Sequence, residues 1–222
     1  MEATKIDISS ADCGSAKTEY WIEPVQPKAG WGYRLVKRAF DIVASLAALL
    51  LLAIPMLIIG ALIWLDSRGP ALFVQERIGK NGKPFSMYKF RSMYINAEEN
   101  GPQWADKDDW RCTRMGRFLR KTRLDELPQL WNILRGDMSL VGPRPERAYF
   151  YEVFETYIHG FRGRLAVRPG LTGWAQVNGG YDLKPEEKII YDMEYIEKQS
   201  VGMDLECIFK TVKLVFTHEG AR

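Results

Sequence analysis

A chain of 222 residues is long enough for one folded domain with a substantial core plus an appended segment. Its formal charge of +3 is too mild to argue for nucleic acid, and two histidines leave little material for histidine-based catalysis or metal binding. The three cysteines are odd in number and form no CxxC pair, which points to reduced thiols in a cytosolic domain rather than a disulfide framework or a zinc site.

No GxSxG, Walker A or GxGxxG sequence is present, which weakens hydrolase, P-loop and dinucleotide-binding readings. Residues 1–30 are polar, weakly periodic and contain Pro24 and Pro27, so they read as a mobile N-terminal tail.

From Ile42 to Leu65 only Ser45 and Pro55 interrupt an apolar run of 24 positions. As a straight helix this run would be about 36 Å long, enough to cross a bilayer's hydrocarbon core. Pro55 lies mid-run, where it removes a backbone hydrogen bond and bends a helix. The flanks are basic on both sides: Arg34, Lys37 and Arg38 precede the run, and Arg68, Arg77, Lys80 and Lys83 follow it. Such symmetry sets no direction of crossing. A single span and a helix that dips into one leaflet, bends at Pro55 and returns are both compatible with the residues. A cleaved signal peptide is not, since the run starts late and lacks a small-residue cleavage site.

Leu72–Ile78 and Phe85–Met93 are β-prone runs joined by a segment containing Asn81-Gly82, which predicts a hairpin with Lys89 on its second strand. The polar stretch from Ala97 to Arg111 reads as a loop or short helix whose carboxylates form a solvated face. Met115–Lys121 predicts a short basic helix, with Arg114, Arg117 and Arg120 on or beside it.

The most informative stretch follows. Asp125 and Glu126 stand side by side behind a basic cluster and ahead of an apolar stripe of Leu127, Leu130, Trp131 and Leu134 that ends at Gly136. Asp125 is expected to cap that helix, with Pro128 in its first turn. The pair would then sit at a helix N-terminus, which favours anions. Adjacent carboxylates can supply a nucleophile and a magnesium ligand, and arginines can hold a diphosphate. The same residues serve simple capping equally well.

Gly142-Pro143-Arg144-Pro145 is a stiff turn that pre-orients an arginine, and Arg168-Pro169-Gly170 repeats the device. Between them, aromatic residues from Tyr149 to Phe161 recur near helical spacing beside Arg147, Arg162 and Arg164. That face suits either a lipid headgroup layer or a core. Leu205, Ile208, Phe209, Val212 and Phe216 mark a last amphipathic helix, expected to pack into the core.

Taken in order, five segments resemble the bacterial sugar transferases, the monotopic phosphoglycosyl transferases that start lipid-linked glycan assembly. They are Lys37-Arg38-Ala39-Phe40-Asp41 with the apolar run, Tyr88–Met93, Leu124–Leu130, Gly136–Pro145 and Arg168–Val177. The resemblance implies an α+β, mostly α fold. A re-entrant membrane helix over residues 34–68, bent near Pro55, would precede a small helical catalytic domain with a β-hairpin over 69–222. It implies transfer of a phosphosugar from a UDP-sugar to a polyprenol (undecaprenyl) phosphate with Mg²⁺, releasing UMP, at the cytoplasmic face of the bacterial inner membrane.

By the same analogy Asp125 would be the nucleophile and Glu126 its partner, both as magnesium ligands. Lys89, Arg120, Arg144, Arg168, Pro143 and Asp192 would make the phosphate and nucleotide site. The implied partners are the UDP-sugar, the polyprenol phosphate and the bilayer, with downstream glycosyltransferases as candidates and no nucleic acid. The chain would be a minimal catalytic unit of the family. The competing expectation is a catalytically inactive, membrane-anchored scaffold of a polysaccharide assembly complex, which loss of the carboxylates would have favoured.

Overall fold

A computed structural model describes residues 18–99, 109–179 and 183–217. The described chain is mostly helical, with three separate two-stranded pairings rather than one sheet.

Helix α1 runs unbroken from Trp31 to Asp66 with Pro55 inside it. Its 36 residues correspond to about 54 Å. One face is held to the folded domain along most of this length. Near its start, Arg38 donates to the carbonyls of Ile133 (2.7 Å) and Leu134 (2.9 Å). Asp41 is buried and accepts from Ser139 Oγ and the Leu140 amide, and Lys37 pairs with Asp204 at 2.9 Å. Midway, Ala48, Leu49 and Leu52 pack on a cluster of Met87, Leu130, Ile133 and Met138. Toward its end, Ile59 and Ile63 join Phe90 and Leu119. The Met115 amide donates to Asp66, and Arg91 donates to Ser67 through both its carbonyl and its hydroxyl. The opposite face is bare: Leu50, Leu51, Ile54 and Leu57 are each more than 70 % exposed.

Strands β2 (Leu72–Ile78) and β3 (Pro84–Phe90) pair antiparallel, Leu72 opposite Phe90 and Ile78 opposite Pro84. Asn81 and Gly82 between them both adopt positive φ, 58° and 75°, the backbone that an Asn-Gly turn supplies at low steric cost. β3 stops at Phe90, short of the expected Met93: the Arg91 amide still donates to Ala71, but beyond it the backbone leaves the hairpin to pair with residues 111–113, where Met93 bridges Cys112 and the Tyr94 amide donates to Arg111.

Helix α2 (Arg114–Thr122) is capped by the Thr113 hydroxyl, and α3 (Gln129–Arg135) ends at Gly136 with φ 97°. Strand β4 (Ser139–Val141) pairs parallel with β6 (Gly170–Thr172). A short helix, α5 (Trp174–Gly179), follows β6, and the principal core forms where α4 (Ala148–Glu155), α6 (Pro185–Lys198) and α7 (Val201–Thr217) meet. Tyr151, Phe154, Ile158, Phe161, Ile189, Met193, Tyr195, Ile196 and Cys207 are all buried there. The aromatic series after Tyr149 therefore fills a core rather than lying on a headgroup layer.

Two expectations change. Residues 18–30 are not a free tail: β1 (Tyr20–Trp21) pairs parallel with β5 (Ile158–His159), Trp21 stacks on His159, and Tyr20, Ile22 and Val25 pack on the core. The apolar side chains interleaved in that polar stretch make the difference. The rest of the expected tail, residues 1–17, lies outside the described residues. Helix α7, expected as a core helix, buries Cys207 but leaves Leu205, Phe209 and Val212 exposed. These stand at i, i+4 and i+7 along the helix and form an apolar outer stripe.

Candidate active site

The path of the chain around Asp125 starts with a backbone feature that leaves no mark in the sequence. Arg123 adopts a left-handed conformation, φ 58° and ψ 15°, which ends α2 and starts a single 3-10 turn over Leu124–Glu126. Asp125 is therefore not the N-cap of α3. That position falls to Pro128, with no side-chain cap, and the two carboxylates lie on the tight connection between α2 and α3.

They face a cavity of about 470 Å³. Its walls come from the β2–β3 hairpin, α2, the 3-10 turn, the turn after β4, and α6. Nine basic and four acidic side chains line it among the described residues, so the site carries a large positive excess. Such a surface attracts a polyphosphate and gains strength from its apolar walls, which include Phe73, Phe90 and Phe150.

Glu126 is buried and ion-paired with Arg144. Burial alone would raise its pKa, but Arg144 and Lys89 outweigh that and hold the carboxyl well below its ordinary range. Asp125 is partly buried and forms no ion pair among the described residues. Burial first, and then the neighbouring Glu126 charge, push its pKa up against the pull of Lys89, Arg144 and Arg120. The dyad is thus asymmetric: one carboxylate is pinned as a permanent anion, and the other is unclamped and more basic. Lys89 projects from β3 into the same space. Burial, with Arg144 and Arg77 nearby, lowers its pKa to about 8. Arg120 also lines the cavity and donates to Cys112 Sγ at 2.9 Å.

Behind this wall lies a buried charge network that the sequence did not announce. Glu146 sits at its hub, near Arg77 (3.4 Å), Lys188 (3.6 Å) and Arg164 (3.9 Å), and Arg164 in turn pairs with Asp192 at 2.6 Å. Arg164 and Asp192 are almost wholly buried. Asp192, expected at the nucleotide site, is thus a second layer that anchors Arg164. Through Glu146 that pair steadies Arg77 and Lys188, which do line the cavity. Pro143 is buried and its carbonyl accepts from the Gly170 amide, so it shapes the turn that presents Arg144.

Arg168 is not with the dyad. It is exposed, donates to the Gly136 carbonyl at 3.0 Å, and lines a different, smaller cavity at the start of α1. Of the acidic stretch expected as a solvated face, Asp109 is instead buried against Arg111 and Glu98 pairs with Arg147 at 2.8 Å. Asp106 and Asp108 lie outside the described residues.

A long apolar helix docked on a small helical domain, with a carboxylate pair facing an arginine-lined cavity, describes a membrane-associated class of phosphate-handling proteins. The bacterial sugar transferase family profile matches residues 32–218, and the chain belongs to that family. It is similar to the UDP-N-acetylgalactosamine-undecaprenyl-phosphate N-acetylgalactosaminephosphotransferase of Aeromonas hydrophila, at 45% identity over 193 residues, covering 86% of this chain and 46% of that protein. It is 42% identical over 193 residues to the UDP-glucose:undecaprenyl-phosphate glucose-1-phosphate transferase of Escherichia coli (strain K12), covering 85% of this chain and 42% of that one. The chain thus spans under half the length of these two relatives. The protein of that same name from Caulobacter vibrioides is 40% identical over 225 residues, which cover 98% of this chain and 83% of it.

Proposed function

We propose that this protein transfers a phosphosugar from a UDP-sugar to a polyprenol phosphate, releasing UMP, at the cytoplasmic face of a bacterial cell membrane. The observation that carries the reading is the asymmetric dyad facing a cation-lined cavity beside an unsatisfied apolar helix.

Phosphoryl transfer asks for alignment and charge neutralisation more than for acid–base work, which suits arginines and a lysine. In the first step an Asp125 carboxylate oxygen attacks the sugar-bearing phosphorus. A bond from that oxygen to phosphorus forms, the bond to the bridging oxygen breaks, and UMP leaves with the electron pair. In the second, a polyprenol phosphate oxygen attacks the same phosphorus and the aspartyl oxygen leaves, regenerating Asp125. Asp125 is the better nucleophile of the two because it is unclamped and more basic, whereas Glu126 is committed to Arg144. Arg120, Arg144 and Lys89 are placed to take the diphosphate charge.

Magnesium fits the donor set, since this ion is commonly held by one or two carboxylates together with substrate phosphates. Asp125 and Glu126 would hold it, and it would supply further neutralisation of the transferring phosphoryl oxygens.

The re-entrant reading of α1 is supported by its docking. Residues at both ends of the helix bind one and the same folded domain, so a crossing would place parts of that domain on opposite sides of the bilayer. The exposed apolar face of α1 is the part left for lipid. Both reactants then reach one site in turn, the soluble donor from water and the lipid acceptor from the membrane.

The test is UMP release from purified protein supplied with undecaprenyl phosphate, Mg²⁺ and a panel that includes UDP-glucose and UDP-N-acetylgalactosamine. Release with one donor, dependent on Asp125, supports the reading. Silence across the panel with folded protein would remove it.

A further inference from the structure

The cavity that holds Arg168 is a second, separate site. It is about 90 Å³, shares no lining residue with the candidate active site, and is built around Arg34, Lys37, Arg38, Lys80 and Arg168. Asp41 is the one carboxylate in its lining. The charges do not cancel internally. Lys37 is committed to Asp204, Arg38 to the two carbonyls that end α3, and Asp41 to Ser139 and Leu140.

Three cations remain. They come from three distant segments: the start of α1, the β2–β3 turn and the loop before β6. Arg168 spends one N–H on the Gly136 carbonyl, while the Arg34 and Lys80 side chains meet no hydrogen-bond or ion-pair partner among the described residues. They stand close enough that burial, Arg168 and Arg34 together lower the Lys80 pKa. All three are exposed, so water solvates them, but their convergence on one concavity raises the local positive potential and favours an anion there.

The position of the concavity says which anion. Arg38 and Asp41 line it, and the apolar run begins at the next residue, Ile42, with Val43, Leu46 and Leu50 exposed along the outer face. An anion held there would sit at headgroup level with a bare hydrocarbon-binding surface running away from it. The concavity is much smaller than the candidate active site, about 90 Å³ against about 470 Å³, and has room for a phosphate group.

We infer that this pocket binds the phosphate of an anionic membrane lipid, with Arg34, Lys80 and Arg168 as its ligands. The site fixes the depth and rotation of α1 at the membrane surface and takes no part in the transfer itself. It rests on the membrane reading of α1 given above.

Native mass spectrometry of the full chain in detergent tests it, with phosphatidylglycerol, phosphatidylcholine and inorganic phosphate as separate probes. The expected result is one retained phosphatidylglycerol in clear excess over phosphatidylcholine. The double variant Arg34→Gln/Lys80→Gln should lower that preference about thirtyfold, since each basic side chain near an anionic surface contributes about fivefold. Arg68→Gln, at the far end of α1, should leave it unchanged. Lys80→Gln alone, on an exposed turn, guards against misfolding and should lower the preference about fivefold. Equal retention of both lipids by the wild-type chain, or a preference that survives the double variant, overturns the proposal. Saturation by inorganic phosphate with no lipid preference overturns the lipid assignment. Absence of any bound lipid would remove the membrane reading together with this one.

Discussion

Arg144→Ala should destabilise the protein through Glu126 rather than through lost packing. Glu126 is 8% exposed and ion-paired with Arg144. Breaking a buried pair from one side costs about 3–5 kcal/mol, because the remaining charge stays desolvated. Here the guanidinium faces an open cavity and Lys89 still offsets the carboxylate, so about 2–3 kcal/mol is expected. For a chain of this size that corresponds to a drop in Tm of about 5–10 °C. The pH dependence has a definite sign. The folded Glu126 pKa lies below the unfolded one, so the pair stabilises above the ordinary carboxylate range and that contribution fades as pH falls through the lower folded value. The Arg144→Ala deficit should therefore be full at pH 7 and shrink in acid. Thermal melts of wild type, Arg144→Ala, Glu126→Gln and the double variant close a cycle whose coupling should be about 2 kcal/mol. Additivity within about 0.5 kcal/mol, or an unchanged Tm in Arg144→Ala, would refute the pairing.

Other consequences follow from the same geometry. Turnover should be bell-shaped in pH. The acid limb lies above the usual carboxylate range, because Asp125 must be ionised to attack, and the alkaline limb lies near pH 8, where Lys89 loses its proton. A flat profile from pH 5 to 9 would contradict both assignments. Gly116→Ala should lower Tm markedly, since an added Cβ would lie 1.8 Å from the Ser92 carbonyl oxygen, an overpacking worth the upper end of about 1–3 kcal/mol. A Tm within a degree of wild type would show that α2 and the Ser92 backbone are not in contact. Single cysteines at Trp31→Cys and Arg68→Cys, in a background without the native thiols, should both react with an impermeant reagent from the cytoplasmic side only. Labelling of the two from opposite sides would remove the re-entrant reading.

Much of this arrangement was legible in the chain because it rests on local rules. The apolar run, the Asn81-Gly82 turn, the stop at Gly136 and the rigid turn around Arg144 each follow from backbone preference or hydrophobic patterning. What stayed hidden depends on encounters between distant segments. Arg164 and Asp192 are separated by a strand and a helix, and nothing local marks either as buried. Arg123 takes a left-handed conformation with no glycine to signal it, and that alone moves Asp125 from a helix cap into a turn. Arg168 precedes Pro169 just as Arg144 precedes Pro145, yet Arg144 reaches the dyad and Arg168 faces the start of α1. Arg38 reads as membrane-flanking charge, but in the fold it fastens α1 to α3, and Asp41 fastens α1 to β4.

The central claim is that Asp125 carries the phosphosugar. It is tested most directly by incubating wild type and Asp125→Asn with a UDP-sugar and Mg²⁺ in the absence of polyprenol phosphate, then measuring intact protein mass. The account predicts a mass increase equal to one phosphosugar, mapped to the Leu124–Leu127 region, and none in Asp125→Asn. UMP release and product formation by Asp125→Asn at a substantial fraction of the wild-type rate would contradict it.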